Sequence, residues 1–140
     1  MDHQLGTRAG VLRFVFGLTA TLAGLDKFFN LLADWSAYVS PLAIQLLPVS
    51  AQAFMNAVGV IEVGVGIAIL GVAPVLGAYI ASAWLLLVGG NLLLAGYLDV
   101  AVRDVVMSVA AFTLARLLEL RAEAPAAAVV AETRQRTVTA

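Results

Sequence analysis

This sequence predicts an all-α membrane protein, a transmembrane four-helix bundle with an extra interfacial helix between spans one and two. Three observations carry the prediction. The chain of 140 residues is 62% hydrophobic and 12% charged, with a mean hydropathy of +0.99, whereas soluble domains are nearer 45–50% apolar and about 25% charged. So small a chain has too little interior to hide that much apolar surface from water, and lipid is the natural solvent for the excess. The apolar residues gather into four stretches, each near the ~20 residues that cross a bilayer core. The basic residues collect towards the two chain ends, the asymmetry expected of membrane topology.

The first stretch covers residues 7–32. Arg8 and Arg13 followed by an apolar run resemble the start of a secretory signal, but apolar residues resume after Asp26 and Lys27 and no small-x-small site closes the run. It is therefore read as a retained span. Residues 33–53 hold Trp35, Tyr38, Pro41 and Pro48 among short apolar runs. Two prolines argue against a span here, and an amphipathic helix at the interface, with Trp35 and Tyr38 at headgroup level, is predicted instead. The second span covers residues 54–70 and the third 74–97. The uncharged run from 63 to 98 is too long for one crossing, so Gly71 is read as a stop and Pro74 as a first-turn start. The fourth span covers residues 100–120. Residues 1–121 thus form one membrane domain, and the alanine-rich then polar segment 122–140 is read as a poorly ordered cytoplasmic tail.

Arg8 and Arg13 precede the first span; Arg116, Arg121, Arg134 and Arg136 lie at the far end of the fourth. Only Lys27 and Arg103 fall on the opposite side, which places both termini in the cytoplasm of a multi-pass plasma (inner) membrane protein. A net charge of −1 gives no field that would attract nucleic acid. With one histidine, His3, and no cysteine, a Cys- or His-based metal centre, bis-His haem ligation and thiol exchange by this chain fall away, and no metal is expected. No phosphate-loop, zinc-protease, nucleophile-elbow or dinucleotide motif stands in a suitable context.

Small residues recur on the second and third spans: Gly59, Gly64, Gly66 and Gly71, then Ala73, Gly77 and Ala81, with Gly89 and Gly90 beyond. They allow close helix approach where no hydrophobic effect drives association; packing inside the bundle is the expected use and a homo-oligomer seam the alternative. Glu62 is the most informative single residue. An ionised group in mid-span costs about 2.5–3.5 kcal/mol on insertion scales, so it should face inward and find a partner. Counted at 1.5 Å per residue, Glu62 is roughly 12 Å below the outer end of its span, and Lys27, Asn91, Arg103 and Asp104 approach the same level. Two readings of these five residues stay open: a network that fixes helix register, or a polar pocket for a quinone headgroup, a proton or another small ligand. Arg13 and Arg116 are expected to snorkel to headgroups, with Glu119 pairing with one of them.

The run Arg13-Phe14-Val15-Phe16-Gly17, then Gly24-Leu25-Asp26-Lys27-Phe28, and Gly59-Val60-Ile61-Glu62-Val63-Gly64 with Gly71 beyond, resembles the DoxX-like family of small four-helix membrane proteins. Tyr97-Leu98-Asp99, Arg103-Asp104 and the stretch from Ala111 to Arg116 resemble the last span of actinobacterial-type members. The resemblance covers about residues 8–120. It implies a small integral membrane subunit or accessory protein of a larger, redox- or respiratory-linked assembly, with a quinone- or lipid-sized pocket. Lys27, Glu62 and Asp104 are the family's intramembrane polar positions by this resemblance. Thiol-active relatives use cysteines, which this chain lacks. The soluble parts are too short for an active-site domain, so the chain is expected to work with other membrane subunits or with itself rather than as an enzyme alone. An independent quinone-reactive oxidoreductase and a small-molecule or proton transporter are the alternative classes.

Overall fold

Helix boundaries in this chain are set by a few short polar residues, prolines and glycines. The computed structural model describes residues 2–138; the side chains of His3, Arg134 and Arg136, counted above for charge, lie outside what it describes. Helix α1, Asp2–Phe29, ends at Asn30, which takes a left-handed φ of 52° and returns its N–H to the Asp26 carbonyl at 2.7 Å, a helix stop that asparagine tolerates. A single 3-10 turn follows, Trp35–Tyr38. The next helix, α2, Pro41–Leu46, is short; the Ser40 hydroxyl caps it by accepting from the Ala43 N–H, and Pro41 occupies its first turn. Ser50 caps α3, Ala51–Ile67, in the same way through Ala53. One turn of π-helix, Ala68–Val72, prolongs α3. Pro74 then opens α4, Pro74–Ala95. Gly96, at φ 86°, closes α4: its N–H reaches Leu93 while the Tyr97 N–H reaches Leu92, the paired carbonyl capping of a Schellman stop. Helix α5, Leu98–Val138, is the longest.

All regular structure among the described residues is helical. Three helices are long and apolar enough to cross a membrane: Gly6–Phe29, Ala51–Val72 and Pro74–Ala95. Their outward faces stay apolar, with side chains such as Phe29, Val60, Leu76 and Leu87 between 59% and 68% exposed. Lipid accommodates such faces and water does not.

The helices pack as two pairs, α1 with α3 and α4 with α5. Each pair is antiparallel. On α1 and α3, Gly24 lies against Gly59 and Gly17 against Gly66; a Cβ on Gly24 would stand 2.7 Å from the Gly59 carbonyl oxygen. On α4 and α5, Ser82 and Ser108 are buried and share a hydrogen bond of 3.1 Å, and the Ser108 hydroxyl also donates to the Ser82 carbonyl at 2.7 Å. The pairs join around Ile69 of the π turn and Ala78, Ala111, Leu114 and Ala115, all fully buried. Alanine is frequent in this seam because without a hydrophobic drive between helices, close backbone approach supplies the attraction.

Two features differ from the sequence reading. The single interfacial helix of residues 33–53 is instead the 3-10 turn and α2, separated at Ser40. Pro41 forbids a helix running through from Tyr38, because the residue before proline is pushed to extended backbone, and Ser40 is extended at ψ 151°. The segment beyond residue 121, read as a poorly ordered tail, continues α5 as helix to Val138; its alanines have the highest intrinsic helix propensity.

Candidate functional site

The polar residues converge where α1 ends, beneath the segment that links it to α3. Lys27 lies in the last turn of α1, and its Cβ is 3.2 Å from where a Cβ on Gly59 would be. That glycine lets the lysine stem lie flat along α3. The ammonium reaches deeper rather than outward and donates to Glu62 Oε2 at 2.5 Å. The side chains of this pair are 5% and 14% exposed. The Lys27 Nζ also stands 3.9 Å from the centroid of the Trp35 ring, so the indole face supplies a second stabilising contact to the cation. The ion pair is therefore roofed by an aromatic residue from the linking segment.

Asp26 holds that roof in place. Its carboxylate accepts the Trp35 indole N–H at 2.7 Å and the backbone N–H groups of Leu31 and Leu32 at 3.0 Å, and Asp26 is 7% exposed. Gln52, at the start of α3, ties the same region from the other side. Its Nε2 donates to the Lys27 carbonyl at 3.0 Å, and its Oε1 accepts from Asn30 Nδ2 at 3.0 Å and from Ser36 Oγ at 3.1 Å.

Of the five residues singled out by sequence, Lys27 and Glu62 meet directly. Asp104 is buried and close enough to Lys27 for their charges to interact, while accepting from Arg103 Nη2 at 3.1 Å. Arg103 itself turns outward, its side chain 66% exposed. Asn91 does not join the charged pair. It clasps the linking segment, with its Nδ2 donating to the Tyr38 carbonyl at 2.7 Å and its Oδ1 accepting the Ser40 N–H at 3.0 Å. The rings of Tyr38 and Tyr97 add a tilted contact at 4.7 Å. Asp26, Trp35 and Gln52 are the site residues that sequence reasoning missed. One signal was available for Asp26: a carboxylate in the last turn of a helix opposes the helix dipole and implies a specific partner.

The opposite end of the molecule is organised differently. Arg116 pairs with Glu119, and Tyr79 donates its hydroxyl to Glu119 at 2.8 Å. Arg13 does not extend towards water; its Nε donates to the Ile69 carbonyl at 2.8 Å and its Nη2 to the Leu70 carbonyl. Among the described residues, no three His, Asp or Glu side chains converge as a metal site.

Chemically, this site is a charge pair covered by an indole, with Asp26 and Gln52 engaged in holding that cover. One donor in the adjacent apolar cluster stands apart. Trp84 packs against Val39, Met55 and Val58, as Trp35 does, and its indole N–H is buried without an acceptor. Compared with protein families, curated proteins and solved structures, the chain gives no match.

Proposed function

We propose that this chain is a DoxX-like four-helix protein of the plasma (inner) membrane, with residues 100–120 of α5 as the fourth span and both termini in the cytoplasm. It works as a subunit or accessory of a larger membrane assembly. The observation that carries this reading is the use of glycine on α3. Gly59 and Gly66, seven residues apart, are filled by α1. On the opposite face of α3 Ala57 and Gly64, also seven apart, are exposed, as is Gly71 of the π turn, and a Cβ on either glycine would meet nothing within 4 Å. A stripe of small residues facing lipid suits close packing by one more helix. The redox link rests on the sequence resemblance.

Gly64→Leu adds bulk where the chain itself has room, so it should leave the isolated chain folded while abolishing its co-migration with partner subunits on native gels from mild detergent. Gly66→Leu, facing α1, should lower folding itself. If wild type migrates as a lone monomer and Gly64→Leu changes nothing, the subunit reading fails.

The second reading, an independent quinone-reactive oxidoreductase, is favoured by the Trp84 indole. A buried N–H without an acceptor costs about 1–3 kcal/mol, and a quinone carbonyl would satisfy it. In the same native analysis, a lone homo-oligomer that retains extractable quinone would favour this reading over the first.

A further inference from the structure

A second site lies at the end of the molecule opposite the Lys27–Glu62 pair. Gly10, Arg13 and Phe14, one turn apart on α1, face Leu70 of the π turn across a cavity of about 210 Å³. Several features meet there. Isolated π turns inside helices occur frequently at functional sites, and this one presents the carbonyls of Ile69 and Leu70 to a guanidinium. Arg13 is half-buried, and its hydrogen bonds go to carbonyls rather than to a carboxylate. Those bonds use two of the five N–H groups of its guanidinium. A helix C-terminus carries roughly −0.5 of a charge, so a full positive charge placed on it leaves the site net positive. Gly10 lines this open groove, with nothing within 4 Å of a Cβ built on it.

From these features we infer that the notch binds the phosphate of an anionic phospholipid, with the acyl chain running along Phe14. Depth selects a lipid over free phosphate. Leu70 is two residues inside the end of the Ala51–Val72 span, about 3 Å along the axis at 1.5 Å per residue, which is headgroup level. Phe14, 59% exposed, then lies beside the first methylenes of the chain. The guanidinium matches phosphate through paired N–H donors.

The test uses the full chain in detergent, delipidated and titrated by native mass spectrometry with phosphatidylglycerol, with phosphatidylcholine and with inorganic phosphate. Wild type should bind one phosphatidylglycerol about tenfold more tightly than phosphatidylcholine, the difference expected of one charge-assisted contact. Gly10→Leu fills the notch without touching the Arg13 bonds and should erase the preference, as should Arg13→Gln. Should Arg13→Gln fail to fold, Gly10→Leu decides alone. An unchanged preference in Gly10→Leu, or none in wild type, overturns the site. Displacement of phosphatidylglycerol by millimolar inorganic phosphate overturns the lipid assignment.

Discussion

A lysine two residues from a helix end in a membrane protein ordinarily extends to the interface. Lys27 does the reverse, because Gly59 leaves a channel for its stem and Glu62 waits below. The pair is a buried salt bridge, whose two halves are far worse apart than together. Glu62→Gln keeps an acceptor and should cost little. Glu62→Leu strands the ammonium and should cost about 3–5 kcal/mol on soluble-protein scales, with a smaller loss expected in a membrane. The double change Lys27→Met with Glu62→Leu should regain much of that loss if the pair is structural. Thermal unfolding in one detergent measures all three; a double variant no more stable than Glu62→Leu would count against a structural pair. The meeting of Lys27 and Glu62 was legible in the sequence because the cost of a mid-span carboxylate demands a partner. The position of Asn91 was not. Its level along α4 was readable, but its neighbour is Tyr38 of the linking segment, whose path no periodicity encodes. The direction of Arg103, which turns outward while bonding Asp104, was not legible either, since depth alone does not say which way a side chain turns.

Among the elements, the three helices that are long and apolar enough to cross a membrane were readable from apolar length, and Pro74 marks the start of α4 as its position in a first turn requires. The π turn was not. Ala68, Ile69 and Leu70 give no sign of a widened turn and Gly71 reads only as a stop; the turn widens there where Arg13 takes the carbonyls of Ile69 and Leu70, a contact made over a separation of 56 residues. The segment between α1 and α3 is held by side chains rather than by a ladder, with Gln52 bonded to three partners in it and α1. Gln52→Ala should therefore loosen that segment without unfolding the helices. Hydrogen exchange should rise at least several-fold at backbone amides 31–40, each lost hydrogen bond being worth about 1 kcal/mol, while amides of α4 stay protected. Equal loss of protection in both regions would show that Gln52 supports the whole bundle instead.

At the scale of the molecule, the Lys27–Glu62 pair lies at one end and Arg13, bonded to carbonyls rather than to a carboxylate, at the other. The proposed orientation assigns the Trp35 roof to the outer leaflet and the Arg13 notch to the inner one. With no native cysteine, two single replacements can test it directly. Ala37→Cys and Glu123→Cys, both at exposed positions, should respond oppositely to an impermeant thiol reagent in intact cells, the first labelled and the second protected until the membrane is opened. Labelling of Glu123→Cys alone would invert the topology and move the phospholipid notch to the other leaflet. This orientation follows from the distribution of basic residues along the chain. The pairing of α1 with α3 and of α4 with α5 was less legible in the sequence, because small residues on a helix face signal close approach without naming the neighbour.

The two tryptophans of this chain are placed as unlike optical reporters. Trp35 has its ring face against an ammonium group and its N–H on a carboxylate, so its excited state sits in a strong, oriented field that collapses if the linking segment lifts. Trp84, its N–H without a hydrogen-bond partner among apolar neighbours, should emit at the blue end of the indole range and change only when the helices themselves part. Opening of the roof and unfolding of the bundle would thus separate by wavelength in the intact protein, with no label attached.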